Sequence, residues 1–315
     1  MHKQLLYILF FGLCSVKTHA QDPQFSQVFA VPLYLGPSFA GASGGTRVAS
    51  NFRDQWPAFK QEYTSYSLAI DYFSPSTNSG FGLAVFRDQT GVELFTSTYC
   101  LLQYSYFIPL TRKLQLRPGI EASYNIRSIN YNHIVFGDQL SVDNSLPVSS
   151  VEPSPDQNFS YFDFATSVAL FHPQYWFGIS VHHLAKPNQS LLGSESKVPL
   201  KLSMYGGKRI DILSKRANRR GDRLFAAFEF KKQAKFSQLL TGSYLEYDDF
   251  TFGLWYRGIP FVKTYQSYIN NDAVVLMVSY TFDKITVGYS YDITTSHLLA
   301  NSAGSHEVSL YYSIV

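Results

Sequence analysis

The segment Gly178-Ile179-Ser180-Val181-His182 sets a hydroxyl and an imidazole two residues apart, a pairing that a serine nucleophile and its base could use. It departs from the G-x-S-x-G nucleophile elbow, because His182 stands where the second glycine belongs. In a strand, Ser180 and His182 share the face opposite Phe177, Ile179 and Val181, and His183 falls on the apolar side near the strand end. His172, His182 and His183 lack further ligands at zinc spacing. Glu246, Asp248 and Asp249 have the oxygen chemistry for Ca²⁺ but no EF-hand loop around them, so they read as a solvated turn. Gly41–Thr46, GASGGT, lacks the lysine of a phosphate-binding loop and reads as a flexible entry to a strand. Lys215–Arg220 is a basic run that reads as an exposed turn, with acidic partners or lipid phosphates as its functional alternative. Asp-Gln recurs at Asp54-Gln55, Asp88-Gln89, Asp138-Gln139 and Asp156-Gln157, each in a connection, with no repeat period around it. No catalytic, cofactor-binding or metal-ligating residue is assigned, and the chain reads as non-enzymatic.

The elements that must position these residues are strands. In Lys284–Asp292, Ile285, Val287, Tyr289 and Tyr291 alternate with Thr286, Gly288, Ser290 and Asp292. Period two means a strand, because successive side chains point to opposite faces. The same alternation predicts strands over Arg47–Arg53, Tyr63–Tyr72, Gly80–Phe86, Ser97–Phe107, Lys113–Tyr124, Ser160–Phe171 and Tyr175–His183. It continues over Pro199–Gly207, Asp222–Phe230, Lys235–Leu245, Asp249–Arg257, Asp272–Tyr280, Lys284–Asp292 and Glu307–Ile314, about fourteen in all. Repeated aromatic-rich alternation with turn residues between is the mark of a transmembrane antiparallel β-barrel, and an even strand number suits one. A soluble β-sandwich also alternates. Here, however, the apolar faces end repeatedly in Tyr and Phe, and the opposite faces are small and polar. Short and long connections mostly alternate, which predicts both termini on the periplasmic side. Lys208–Gly221 and Lys231–Ala234 break the pattern and could mark a missed or merged strand.

Composition agrees. Phe, Tyr and Trp make up 17% of the chain, with 26 Phe and 23 Tyr against 3 Trp, as interfacial rings of a barrel require. Residues 1–20 read as a secretory signal: Lys3, an apolar core at Leu5–Leu13 and a small-residue ending at Ala20. That core is too short to span a bilayer as a helix, which needs about 20 residues. Without the signal, Lys3 and Lys17 are lost, so 26 basic residues become 24 against 23 acidic ones. Such a balance argues against nucleic acid as a partner. Cys100 is then the only cysteine, so no internal disulfide framework exists.

Charges belong on the lumen side, because Arg in the lipid face costs about 2–4 kcal/mol at midplane. Arg117 and Glu121 oppose Leu116, Ile120 and Tyr124; Asp71 opposes Ile70; Arg257 opposes Leu254 and Tyr256. Asp71, Arg117, Glu121 and Arg257 are therefore expected to form a lumen charge network that braces the interior. Trp255 is an exception on that inward face.

Residues 21–45 have no sustained period, yet Phe25, Phe29, Leu33, Tyr34, Leu35 and Phe39 make them too apolar for a linker. They are expected to pack into the mouth or lumen of the barrel formed by residues 46–315, with Pro32 and Pro37 keeping them extended. Here the chain resembles the PorP/SprF family of type IX secretion membrane proteins. The resemblance rests on Asp22-Pro23, Phe25-Ser26-Gln27, Pro32-Leu33-Tyr34-Leu35, Pro37 and Phe39-Ala40-Gly41, then Asn51-Phe52-Arg53-Asp54-Gln55-Trp56-Pro57. Phe136-Gly137-Asp138-Gln139, Gly178–Leu184 and Gly304–Val308 match more weakly, and Val31 and Gly36 stand where the family pattern has Asn. The resemblance implies an integral outer-membrane barrel of Bacteroidota that serves type IX secretion and gliding. It further implies a barrel that receives or anchors a cognate secreted surface protein through that cargo's C-terminal domain, beside other secretion components and outer-membrane lipid. A passive or hydrophobic-substrate transporter is the alternative. The two part on whether the lumen is open or is closed by residues 21–45.

Overall fold

The computed structural model describes residues 22–59, 63–91, 94–130, 158–190, 195–212, 222–263, 269–295 and 303–314. The long strands are β1 (Thr46–Gln55), β2 (Tyr63–Ser74), β3 (Ser79–Thr90), β4 (Phe95–Tyr106), β5 (Gln115–Ile129), β6 (Asn158–His172) and β7 (Tyr175–His182). They continue as β8 (Lys201–Asp211), β9 (Arg223–Gln233), β10 (Phe236–Tyr247), β11 (Phe250–Lys263), β12 (Ile269–Phe282), β13 (Ile285–Thr294) and β14 (Ser305–Ile314). A two-residue piece, Ile108–Pro109, pairs with the start of β5. Each long strand pairs antiparallel with its neighbours in sequence, and β1 pairs with β14 over Thr46–Gln55 and Ser305–Ile314, so the sheet closes on itself. The architecture is the transmembrane antiparallel barrel that the alternation predicts, and the fourteen long strands correspond one to one with the predicted segments. Among the described residues no helix is long and apolar enough to cross a membrane, which says nothing of crossing by strands.

The ladders outrun the alternation. β3 continues to Thr90 and β11 to Lys263, so Asp88-Gln89, and likewise Asp54-Gln55 in β1, are strand residues rather than loop residues. Backbone pairing needs no apolar face, and beyond the lipid a strand can continue with polar residues on both sides. β11 passes a register shift at Arg257/Gly258 on the way. The irregular pair of connections conceals no strand among the described residues: β8 runs to Asp211, β9 starts at Arg223, and β9 joins β10 across two residues.

Faces follow the pleat. In β2, Ser65, Ser67, Ala69 and Asp71 are buried while Tyr66, Leu68, Ile70 and Tyr72 are exposed. The exposed row makes sense only against lipid, because soluble surfaces rarely carry apolar patches this continuous. Leu68 lies mid-strand and is 58% exposed. Leu68→Arg should lower folding stability by about 2–4 kcal/mol in lipid, and Phe250→Arg at a strand end by about 0–1 kcal/mol. Urea unfolding in vesicles measures both.

The apolar core lies between the inner wall and the N-terminal segment, not between two sheets. Phe25, Val28, Val31, Leu33, Leu35, Phe39 and Ala40 of that segment are buried against wall residues such as Phe86, Leu101, Tyr205, Leu240 and Trp255. The segment is not extended. Pro32–Leu35 forms one helical turn, α1, and Pro37–Phe39 a 3-10 turn, each with proline in its first positions. Proline favours the first helical position, because its fixed φ fits and its missing N–H is not needed there.

Candidate functional site: a plugged lumen

Residues 22–45 lie inside the barrel as a plug, and polar contacts tie the plug to the wall at its leading end and along its length. Ser26 is the centre of the first tie. Its amide donates to Glu307 at 2.6 Å and its hydroxyl to Asp292 at 2.7 Å. Arg53 of β1 pairs with Asp292 at 2.8 Å and Glu307 at 3.5 Å, and donates to the Ser26 hydroxyl. Arg257 of β11 pairs with the same Asp292 oxygen at 2.7 Å and with Asp272 at 2.5 Å, and reaches Ser26 at 3.0 Å. Gln27 completes the tie: its side-chain Nε2 donates to Ser290 and to the Glu307 carbonyl, and Ser309 donates to its side-chain Oε1 at 2.7 Å. Arg53, Asp292 and Glu307 are each at most 1% exposed. Buried charges of this kind are stable only when paired and hydrogen-bonded.

Farther along the plug, wall groups hold its main chain. Gln103 donates to the Leu33 carbonyl at 2.8 Å, Ser180 to that of Leu35 at 2.8 Å and Ser105 to that of Ala40 at 2.8 Å. Ser167 accepts from the Ser38 amide at 2.7 Å, and Asp71 from the Gly41 amide at 3.1 Å. Satisfying these groups is necessary, because an unpaired buried amide or carbonyl loses about 1–3 kcal/mol. Aromatic rings fill the spaces between: Phe29 lies 5.1 Å from Trp255 and 5.5 Å from Trp176, and Phe39 contacts Phe171, Trp176 and Tyr205. Trp255 faces inward because it stacks on the plug.

Asp22, at the start of the described plug, makes the second tie. One of its oxygens accepts from Lys201 Nζ at 2.5 Å and lies 3.1 Å from His183 Nε2. The opposite ring nitrogen of His183 lies 2.6 Å from Asp163. Sequence periodicity puts His183 on the lipid side. It is buried instead, because it lies one residue past β7 with φ +62°, a left-handed conformation that breaks the alternation and turns the ring inward. A cavity of about 50 Å³ adjoins this tie, and Tyr34, Phe86 and Tyr99 line it together with Asp22, His183 and Lys201.

Charge follows from this geometry. Burial alone would raise the Asp22 carboxyl, but Lys201 and His183 outweigh it and hold the group well below the usual carboxylate range. Burial alone would lower His183, but Asp22 and Asp163 carry it up to about 9. A histidine raised above its unfolded value of about 6.5 stabilises the fold fully below that pH. That contribution is lost as pH rises through about 9. Asp22 acts in the opposite sense: its contribution is present above about 3.9 and is lost as pH falls through its depressed value. Labelled-histidine NMR should show His183 titrating near 9, and falling back toward its ordinary value in Asp22→Asn.

The sequence-chosen residues are distributed unevenly over these ties. Asp22, Ser26 and Gln27 make polar ties and Gly41 a backbone one, Phe25 and Phe39 pack the core, and the Tyr34 hydroxyl donates to the Pro23 carbonyl. Pro32 and Pro37 begin the two turns. Asp54 and Gln55 end β1, and Trp56 follows with its amide on the Gly304 carbonyl and its ring against Tyr63. Asp138, Gln139, Asp156, Gln157 and the basic run Lys215–Arg220 lie outside the described residues. Asp71, Arg117, Glu121 and Arg257 all face the lumen but do not form one network. Asp71 pairs with Arg47, and Arg117 stacks over Phe107 and Phe171. Glu121 meets Gln103 and lies 4.0 Å from His182, and only Arg257 joins the Ser26 tie. They lie on strands β2, β5 and β11, and each meets a different set of partners. Sequence reasoning missed Arg53, Asp292, Glu307 and Lys201 as a group. Their inward positions within strands carried the signal. Ser180 and His182 lie 3.2 Å apart beneath the plug, where the Ser180 hydroxyl binds the plug backbone.

A closed barrel with an apolar outer face and a lumen filled by its N-terminal segment defines an outer-membrane β-barrel protein. The chain belongs to the family described as type IX secretion system membrane protein PorP/SprF, whose model matches residues 17–312. No curated protein matches the sequence. Among solved structures, the Ralstonia pickettii toluene transporter TbuX is similar with a TM-score of 0.50 and 11% identity, covering 90% of this chain and 92% of that one. The Acinetobacter baumannii outer membrane protein Omp33 is similar with a TM-score of 0.49 and 8% identity, covering 86% and 98%. At such identities the likeness is one of fold alone.

Proposed function

We propose that this barrel serves type IX secretion and gliding without catalysis, receiving or anchoring a cognate secreted surface protein through that protein's C-terminal domain. It does so beside other secretion components and outer-membrane lipid, with the start of β1 and the end of β14 on the periplasmic side. Family membership over residues 17–312 supports the secretion role. The observation that carries the choice against a passive transporter is the plug. Its buried side chains and its ties to Arg53, Arg257, Asp292 and Glu307 occupy the lumen through which a solute would have to pass. A protein with a closed lumen acts through its rims and outer surface, where another chain can bind. Affinity purification of the tagged protein from its native membrane should recover a large secreted protein together with secretion components. Recovery of neither, with solute flux through the purified barrel, would replace this reading with the transporter.

A further inference from the structure

We infer that Lys201 and His183 form a receptor for a single carboxylate, and that Asp22 of the chain's own plug fills it in the closed state. Both cations come from the wall, and both are nine-tenths or more buried. They converge on one oxygen, at 2.5 and 3.1 Å. His183 is brought there by a left-handed backbone that a non-glycine residue avoids, and such strain persists where the site needs it. Asp163 holds the far ring nitrogen at 2.6 Å, which directs the other N–H at the bound carboxylate. The anion is the removable part, because Asp22 sits on the plug while its partners sit on β8 and just past β7.

The adjoining cavity of about 50 Å³ admits a small group beyond a carboxylate, and the rings of Tyr34, Phe86 and Tyr99 contribute apolar lining. Glu121 and Asp163 also line it, which disfavours a second negative charge and so phosphate or a dicarboxylate. The ligand class is a monocarboxylate on a slender stem, either a free carboxylic acid or the C-terminus of a peptide. Such a ligand competes with Asp22 and frees the leading end of the plug. The inference stands on the clamp geometry and is independent of the secretion role, so failure of the purification experiment leaves it untouched.

The test uses the folded, detergent-purified barrel and its Asp22→Ala variant, or Asp22→Asn where the first does not fold. The probes are ¹³C-carboxylate hexanoate and ¹³C-carboxylate N-acetylglycylglycine, each set against its primary amide in NMR titrations. The vacated clamp should bind an acid about tenfold or more tightly than its amide. Binding should disappear when Lys201→Gln is added, and wild type should bind more weakly than the variant. Preference for hexanoate identifies the free acid as the source, and preference for the dipeptide a peptide end. Equal binding of acid and amide, binding that survives Lys201→Gln, or no acid binding at about 10 mM overturns the inference.

Discussion

Asp292→Ala should destabilise the folded barrel by about 3–5 kcal/mol, the range measured when one partner of a buried ion pair is removed. Asp292 is the only carboxylate among the described residues that pairs with both Arg53 and Arg257. It also accepts from Ser26, so its loss loosens the wall and the plug at one point. Arg53 would keep Glu307 at 3.5 Å and Arg257 would keep Asp272, but each guanidinium would stay buried with donors unmatched. Asp292→Asn retains the shape and reads the charge alone. Replacing Arg53, Arg257 and Asp292 together by apolar residues of similar volume, with Glu307→Gln so that no lone carboxylate stays buried beside Arg53's position, should restore part of the loss, because burying ion pairs is itself expensive. Equilibrium unfolding in urea, followed by heat-sensitive gel mobility, measures all three. A loss under about 1 kcal/mol for Asp292→Ala would show that water already solvates the site.

Gly80→Ala combined with Gly119→Ala should expel the middle of the plug while leaving the strands paired. A Cβ on Gly80 would lie 2.0 Å from the Ala40 carbonyl oxygen, and one on Gly119 2.5 Å from the Ser38 amide nitrogen. Both obstacles are plug backbone, so no side-chain rotation relieves them. The wall keeps its ladder, since both residues are ordinary members of β3 and β5. Phe39 and Leu35 then lose their burial, about 1.5–3 kcal/mol for each side chain. Three measurements should agree. Tryptophan emission shifts, because Phe29 packs on both Trp176 and Trp255. The segment from residue 22 to 45 becomes open to protease. Ion conductance appears in planar bilayers where wild type shows little. A variant that keeps its protease protection and stays closed would mean that the wall yields instead, and that the plug is braced more firmly than its contacts indicate.

Much of this molecule is legible in its residues. The alternation of Ile285, Val287, Tyr289 and Tyr291 with Thr286, Ser290 and Asp292 is local, and it assigns each side chain to lipid or lumen with no knowledge of the rest. Strand number and antiparallel order follow from it, and the aperiodic apolar residues 22–45 announce that something must enclose them. The prolines mislead, since they start turns as readily as they keep a chain extended.

Which lumen charges meet was not legible. Arg53, Arg257, Asp292 and Glu307 stand on β1, β11, β13 and β14, and they meet at Ser26 only because β14 pairs back onto β1 and the plug threads between them. Asp71, Arg117 and Glu121 have the same inward signature and end elsewhere. His183 leaves the periodic rule altogether at a single backbone dihedral. By itself the sequence determined the faces, the membrane and the family, because side-chain direction in a strand depends on parity alone. The tertiary structure decided the ties and the clamp, because position around and along the barrel depends on closure and register, which sum over every strand between two residues.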